Sequence, residues 1–113
     1  MSVAVLAARQ LDAYNRADLD AFCDCYHQDV VVLDADGGID IEGIESFRLR
    51  YADKFAAGGF GATVSERISL GRHCVDLEHY WFFDASGVRQ EGSILVRYTL
   101  ADARIARVQF LSP

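Results

Sequence analysis

From residue 63 to residue 111 the chain runs through four strand-like stretches in succession, and that run most constrains what it can fold into. "TVSERISLGR", "HCVDLEHYWFFD", "VRQEGSILVRYTL" and "RIARVQFL" are rich in β-branched and aromatic residues. Short turns, at Ala85–Gly87 and at "ADA", separate the later ones. Long consecutive strands joined tightly imply an antiparallel meander. A sheet of that size with an apolar inner face must be covered, so the cover has to come from the N-terminal half.

That half supplies three helical patterns. Ser2 is placed to cap a helix through "VAVLAARQLDAYN", whose Val3, Leu6, Leu11 and Tyr14 recur with Gln10 at helical spacing. Asn15 and Arg16 break it. Asp18 then caps "LDAFCDCY", with Leu19, Phe22, Cys23 and Tyr26 as the inner stripe. "DVVVLD" reads as a short strand, and "DADGGIDIEG" as a Gly-Gly turn with a brief hairpin return. Gly43 precedes a third helix, "IESFRLRYADKF", which buries Ile44, Phe47, Tyr51 and Phe55 and leaves Arg48 and Lys54 outside. Gly58, Gly59 and Gly61 end it as a loop. The predicted class is α+β: a twisted, curved antiparallel sheet curling into a cone around three N-terminal helices, with a cavity between the layers.

The 113 residues are read as one domain, 1–113. A net charge of −6 with scattered basic residues excludes a nucleic-acid surface and gives no patch for an anionic membrane. No stretch approaches a membrane span or the core of a signal peptide, so the expected location is cytoplasmic. Cys23 and Cys25 point about 200° apart on a helix; with Cys74 they are read as buried free thiols rather than a metal claw or a disulfide. Asp36, Asp40 and Glu42 hint at a calcium loop, but Gly38 and Ile39 occupy positions needing an oxygen ligand and a glycine. No metal site or cofactor is expected.

The segments "YNRADLDAFCDCYHQDVVVLD", "IEGIESFRLRYADKF" and "ARIARVQF" together resemble the nuclear-transport-factor-2-like superfamily. Within it they look most like the ketosteroid-isomerase and polyketide-cyclase (SnoaL-like) branch. The likeness covers nearly the whole chain. It implies a cone-shaped α+β barrel that pairs as a homodimer through the outer face of its sheet. In the isomerases, an aspartate at the end of the first strand shuttles a proton beside a ketone held by a tyrosine and a protonated aspartic acid. Asp34 falls at the position of that base. Gln10 stands where the tyrosine would be, with Tyr14 one turn later on the same face, and "GSILVRYTL" offers no acid for the second donor.

Two readings of Asp34 stay open: a turn residue satisfying backbone N–H groups before Gly37, or a carboxylate in the pocket, in register with Val30 and Val32. On "VDLEHYWFF", Val75, Leu77, His79, Trp81 and Phe83 share one face, and His79 is either a hydrogen-bonded structural residue or a donor to the substrate. Asp76, Glu78, Tyr80 and Phe82 share the other face, which is also half aromatic, as a dimer using the outer sheet surface would need. Two functions follow as expectations. The first is an enzyme of the isomerase or cyclase type that moves a proton α to a carbonyl of an apolar substrate. Asp34, Tyr14 and His79 would be catalytic, and Gln10, Val30, Val32, Phe47, Tyr51, Phe55 and Trp81 would line the ligand. The second is a non-catalytic module that binds an apolar small molecule or dimerises.

Overall fold

A computed structural model describes all 113 residues. The element order is α1 (Val3–Asn15), α2 (Leu19–Asp24), β1 (Tyr26–Leu33), β2 (Ile39–Glu42), α3 (Ile44–Ala57), β3 (Phe60–Leu70), β4 (His73–Phe83), β5 (Arg89–Ala101) and β6 (Arg104–Leu111). The six strands form one curved, unclosed sheet in the order β2-β1-β6-β5-β4-β3. The helices pack against its concave side. Antiparallel pairing holds throughout except between β1 and β6, which run parallel where the last strand returns beside the first.

Local chemistry sets the helix ends as anticipated. Ser2 Oγ accepts from the Val5 N–H at 3.2 Å, and Asp18 Oδ1 accepts from the Ala21 N–H at 3.1 Å. The second helix is shorter than its pattern suggests. It ends at Asp24, because Tyr26 already pairs with Ile105 in the sheet. Asn15, the residue that stops α1, has a structural job. Its amide donates to the Ala62 carbonyl and accepts from the Ala62 N–H, both at 2.9 Å, tying the helix to the edge strand β3.

An aromatic cluster holds the helices to the sheet. Phe22 on α2 meets Tyr14, Tyr26, Phe47, Tyr51 and Phe55 with ring centroids 4.9–5.9 Å apart. Such offset and tilted pairs add to the stabilisation from burial alone. Cys23, Cys25 and Cys74 are buried and unbridged. No helix is long and apolar enough to cross a membrane.

Candidate active site

The large side chains of the three helices do not fill the concave side of the sheet. They leave a cavity of about 200 Å³. Drug-sized ligands occupy roughly 300–1,000 Å³, so this chamber suits a small ring better than a steroid. Its walls are mostly aromatic, and three polar side chains enter it: Gln10 from α1, Lys54 from α3 and Glu78 from β4.

Glu78 faces inward because β4 alternates, and its partners across the ladder, Val64 on β3 and Ile94 on β5, share its side of the sheet. Burial raises its pKa and the neighbouring Asp76 charge raises it further, while Lys54 pulls the other way. Asp76 is itself only 1% exposed. It is held by Arg67 through two bonds, Nε to Oδ1 at 2.6 Å and Nη2 to Oδ2 at 2.9 Å. The acid facing the chamber is therefore Glu78, and Asp76 behind it is committed to structure.

Opposite lies a directed hydrogen-bond chain. Gln10, 4% exposed, donates from Nε2 to the Ala7 carbonyl at 3.0 Å. A carbonyl only accepts, which fixes the amide orientation. Gln10 Oε1 then accepts from the Tyr26 hydroxyl at 2.8 Å, and the second Nε2 hydrogen goes to the Tyr98 hydroxyl oxygen at 3.0 Å. Tyr98, also 4% exposed, is left with an O–H that no protein group accepts. Its hydroxyl stays protonated, since burial and the Glu78 charge push its pKa well above the ordinary value. Burial acts the same way on Tyr26, Tyr14 and Tyr51, raising Tyr51 to about 12. The site thus offers one tunable carboxyl and several neutral donors.

Of the residues singled out in the sequence, Gln10, Tyr14, Phe47, Tyr51 and Trp81 line the chamber. Val30, Val32 and Phe55 are buried in the core behind it. Asp34 is elsewhere. The β1–β2 register shifts between Val32 and Leu33, and β1 ends at Leu33, so the period-two projection fails one residue before Asp34. Its side chain is exposed and accepts from the N–H groups of Asp36 at 3.0 Å and Gly38 at 2.8 Å. Of the two readings left open for Asp34, the structure places it as the turn residue. His79 also faces away from the chamber. Its ring sits between Ser65 Oγ at 2.8 Å and Ser93 Oγ at 2.7 Å on the outer side of the sheet.

Sequence reasoning missed Glu78 and Tyr98 and gave Tyr26 a buried place without a site role; Lys54, read as outside, is exposed and also borders the chamber. The inner face of β4 was misread because its charged Asp76 and Glu78 made the opposite face look like the apolar one. Register would have exposed the error. Tyr80 lies against Gly92, its partner on β5, and the missing side chain there makes room for an inward ring.

The family model described as a SnoaL-like domain matches residues 7–108. The chain belongs to this family. No curated protein sequence matches it. Among solved structures, this SnoaL-like domain is similar to an uncharacterised cystatin-fold protein from Novosphingobium aromaticivorans, at 24% identity and TM-score 0.87 over 97% of each chain. It is similar to a putative polyketide cyclase from Sinorhizobium meliloti, at 20% identity and TM-score 0.77 over 93% of this chain and 92% of that one. It is also similar to TerC co-crystallised with polyporic acid, at 14% identity and TM-score 0.81 over 97% and 90%. At these identities the likeness shows the fold.

Proposed function

We propose that this SnoaL-like domain binds a small, apolar carbonyl compound and moves a proton on the carbon α to the carbonyl, as an isomerase or cyclase does. Glu78 takes the role first assigned to Asp34: its carboxylate removes the proton and returns it at a second carbon. Tyr98 donates its free O–H to the carbonyl oxygen, where negative charge develops as the enolate forms. The chain from Tyr26 through Gln10 polarises that donor and fixes its direction. A base with a raised pKa works nearer neutral pH than an ordinary carboxylate. The observation that carries this reading is the enclosure of the single Glu78 carboxyl and the unspent Tyr98 hydroxyl in the same aromatic chamber. A putative polyketide cyclase and TerC co-crystallised with polyporic acid share this fold, which supports a small-molecule site here.

The test is proton exchange and double-bond migration in cyclohex-3-enone, with wild type, Glu78→Gln and Tyr98→Phe. Loss of a working base lowers the rate by roughly 10²–10⁴, and loss of one oxyanion donor by roughly 10²–10³. Equal rates in wild type and Glu78→Gln, or no reaction in either, would end the reading. A second reading, binding without turnover, is favoured by one feature: Glu78 is the only carboxylic acid lining the chamber, so no second acid assists at the oxygen. Saturable ketone binding without exchange would select it.

The outer sheet face is proposed to seat a second copy of the chain. Leu95, Ile68 and Phe83 project there and are 42%, 73% and 51% exposed in the single chain.

A further inference from the structure

The chain carries eleven basic side chains, and only one of them is a lysine. That residue, Lys54, is also the only cation lining the chamber. Every other positive charge is an arginine, and arginine stays protonated wherever it is placed. Lysine is the side chain that can lose its proton and attack.

We propose that Lys54 is a nucleophilic amine that condenses with the carbonyl carbon of a small aldehyde or ketone held in the chamber. The inference rests on the preceding reading that the chamber takes a carbonyl compound, and it adds covalent chemistry to it. Lys54 stands in the last turn of α3, its stem on the rim and its Nζ 5.2 Å from the ring centroids of both Tyr14 and Phe60. No carboxylate pairs with it directly, so aromatic faces replace an ion-pair partner. Burial lowers its pKa, with Glu78 as the opposing influence.

The step balances within the site. The neutral amine adds to the carbonyl carbon, and after a proton shift from nitrogen to oxygen a carbinolamine stands at Lys54. Glu78, protonated, gives its proton to the carbinolamine hydroxyl, which leaves as water while the nitrogen lone pair forms the C=N bond of an iminium. The α C–H is now more acidic. The Glu78 carboxylate takes that proton to give an enamine, returns it at the same or a conjugated carbon, and hydrolysis frees product and amine. No oxidant or reductant is needed.

A purely structural role is the competing account: a cation–π clamp fastening the end of α3 to Phe60. Arginine serves that purpose as well as lysine, so Lys54→Arg separates the two. The folded protein is incubated at neutral pH with benzaldehyde and sodium cyanoborohydride, beside an N-acetylated reference peptide bearing one exposed lysine. Peptide mapping then follows the gain of one benzyl group. A lowered pKa raises the free-amine fraction at neutral pH, so the expected result is faster labelling of Lys54 than of the reference lysine. Labelling no faster than the reference overturns the proposal. Cyclohex-3-enone turnover is measured in parallel. If Lys54→Arg keeps the wild-type rate while Glu78→Gln loses it, the imine is overturned and direct proton transfer stands. If Lys54 labels fast but wild type turns over no ketone, the amine site stands and the proton-transfer reading falls.

Discussion

On β4 the even-numbered side chains Asp76, Glu78, Tyr80 and Phe82 turn toward the helices, whereas Val75, Leu77, His79, Trp81 and Phe83 alternate to the other side, although Trp81 also borders the chamber. By composition the second set is the more apolar. Yet the inner set contains the buried Asp76, paired with the partly exposed Arg67 of β3, and the Glu78 carboxyl, and the outer set holds a histidine bridged by two serines and a tryptophan stacked under Arg89 at 4.6 Å. The same strand therefore spends its charges inside and its aliphatic surface outside. Charges are tolerated inside only where a partner or a ligand meets them, and apolar area is tolerated outside where another surface covers it.

The largest expected effect breaks the inner side of this contrast. Arg67→Met leaves Asp76 buried without its bidentate partner, and removing one member of a buried pair costs about 3–5 kcal/mol. Urea denaturation should show the midpoint falling steeply, while Arg89→Met, which removes an exposed pair with Glu91, leaves it nearly unmoved. Equal shifts for the two variants would mean that inner and outer charges are solvated alike.

The outer side is broken by Leu95→Asp. A fully buried leucine contributes about 1.5–3 kcal/mol, so sedimentation equilibrium should show self-association weakened roughly tenfold to a hundredfold. A wild-type chain that stays monomeric at every accessible concentration removes the second copy from the account.

How much of this was legible before any coordinates follows from the same alternation. The helix caps at Ser2 and Asp18, the stripe of Phe47, Tyr51 and Phe55, and the succession of late strands are local signals, set by neighbours within a few residues. They placed the layers and the chamber. Gln10, Tyr14, Phe47, Tyr51 and Trp81 were found because a stripe on a helix, or an aromatic-rich strand, announces burial. Glu78 and Tyr98 were not, since which face of a strand points inward is decided by pairing register with strands dozens of residues away. Asp34 failed for a related reason: a single register shift beside Leu33 cancels any projection carried past it. Lys54 shows the limit of a binary inside–outside reading, since a long side chain keeps its stem on the rim and its amine over buried rings.

A smaller effect tests whether Glu78 is enclosed. Its folded pKa is raised, so between the ordinary carboxylate range and that raised value the native state holds a proton that the unfolded chain has released. Stability therefore falls as pH rises through that window. Glu78→Gln removes the ionisation. Its melting temperature should match wild type below about pH 4 and exceed it increasingly toward neutral pH. A difference that is flat across this range would place Glu78 in water and undo the contrast between the faces.

The smallest expected effect belongs to Asp34, which lies on neither face. Its Oδ1 closes a turn by accepting from two backbone N–H groups, and an asparagine presents the same oxygen in the same place. Asp34→Asn should change stability by less than about 0.5 kcal/mol, as surface substitutions away from special features do, and leave ketone exchange at the wild-type rate. Asp34→Ala, which removes the acceptor, should destabilise by about 1 kcal/mol and still leave the rate alone. Thermal melts and exchange assays on the two variants separate the roles. A stability loss without a rate loss fits a turn residue, whereas a rate fall of about tenfold or more in Asp34→Asn would return the base to the strand end and strip Glu78 of its assignment.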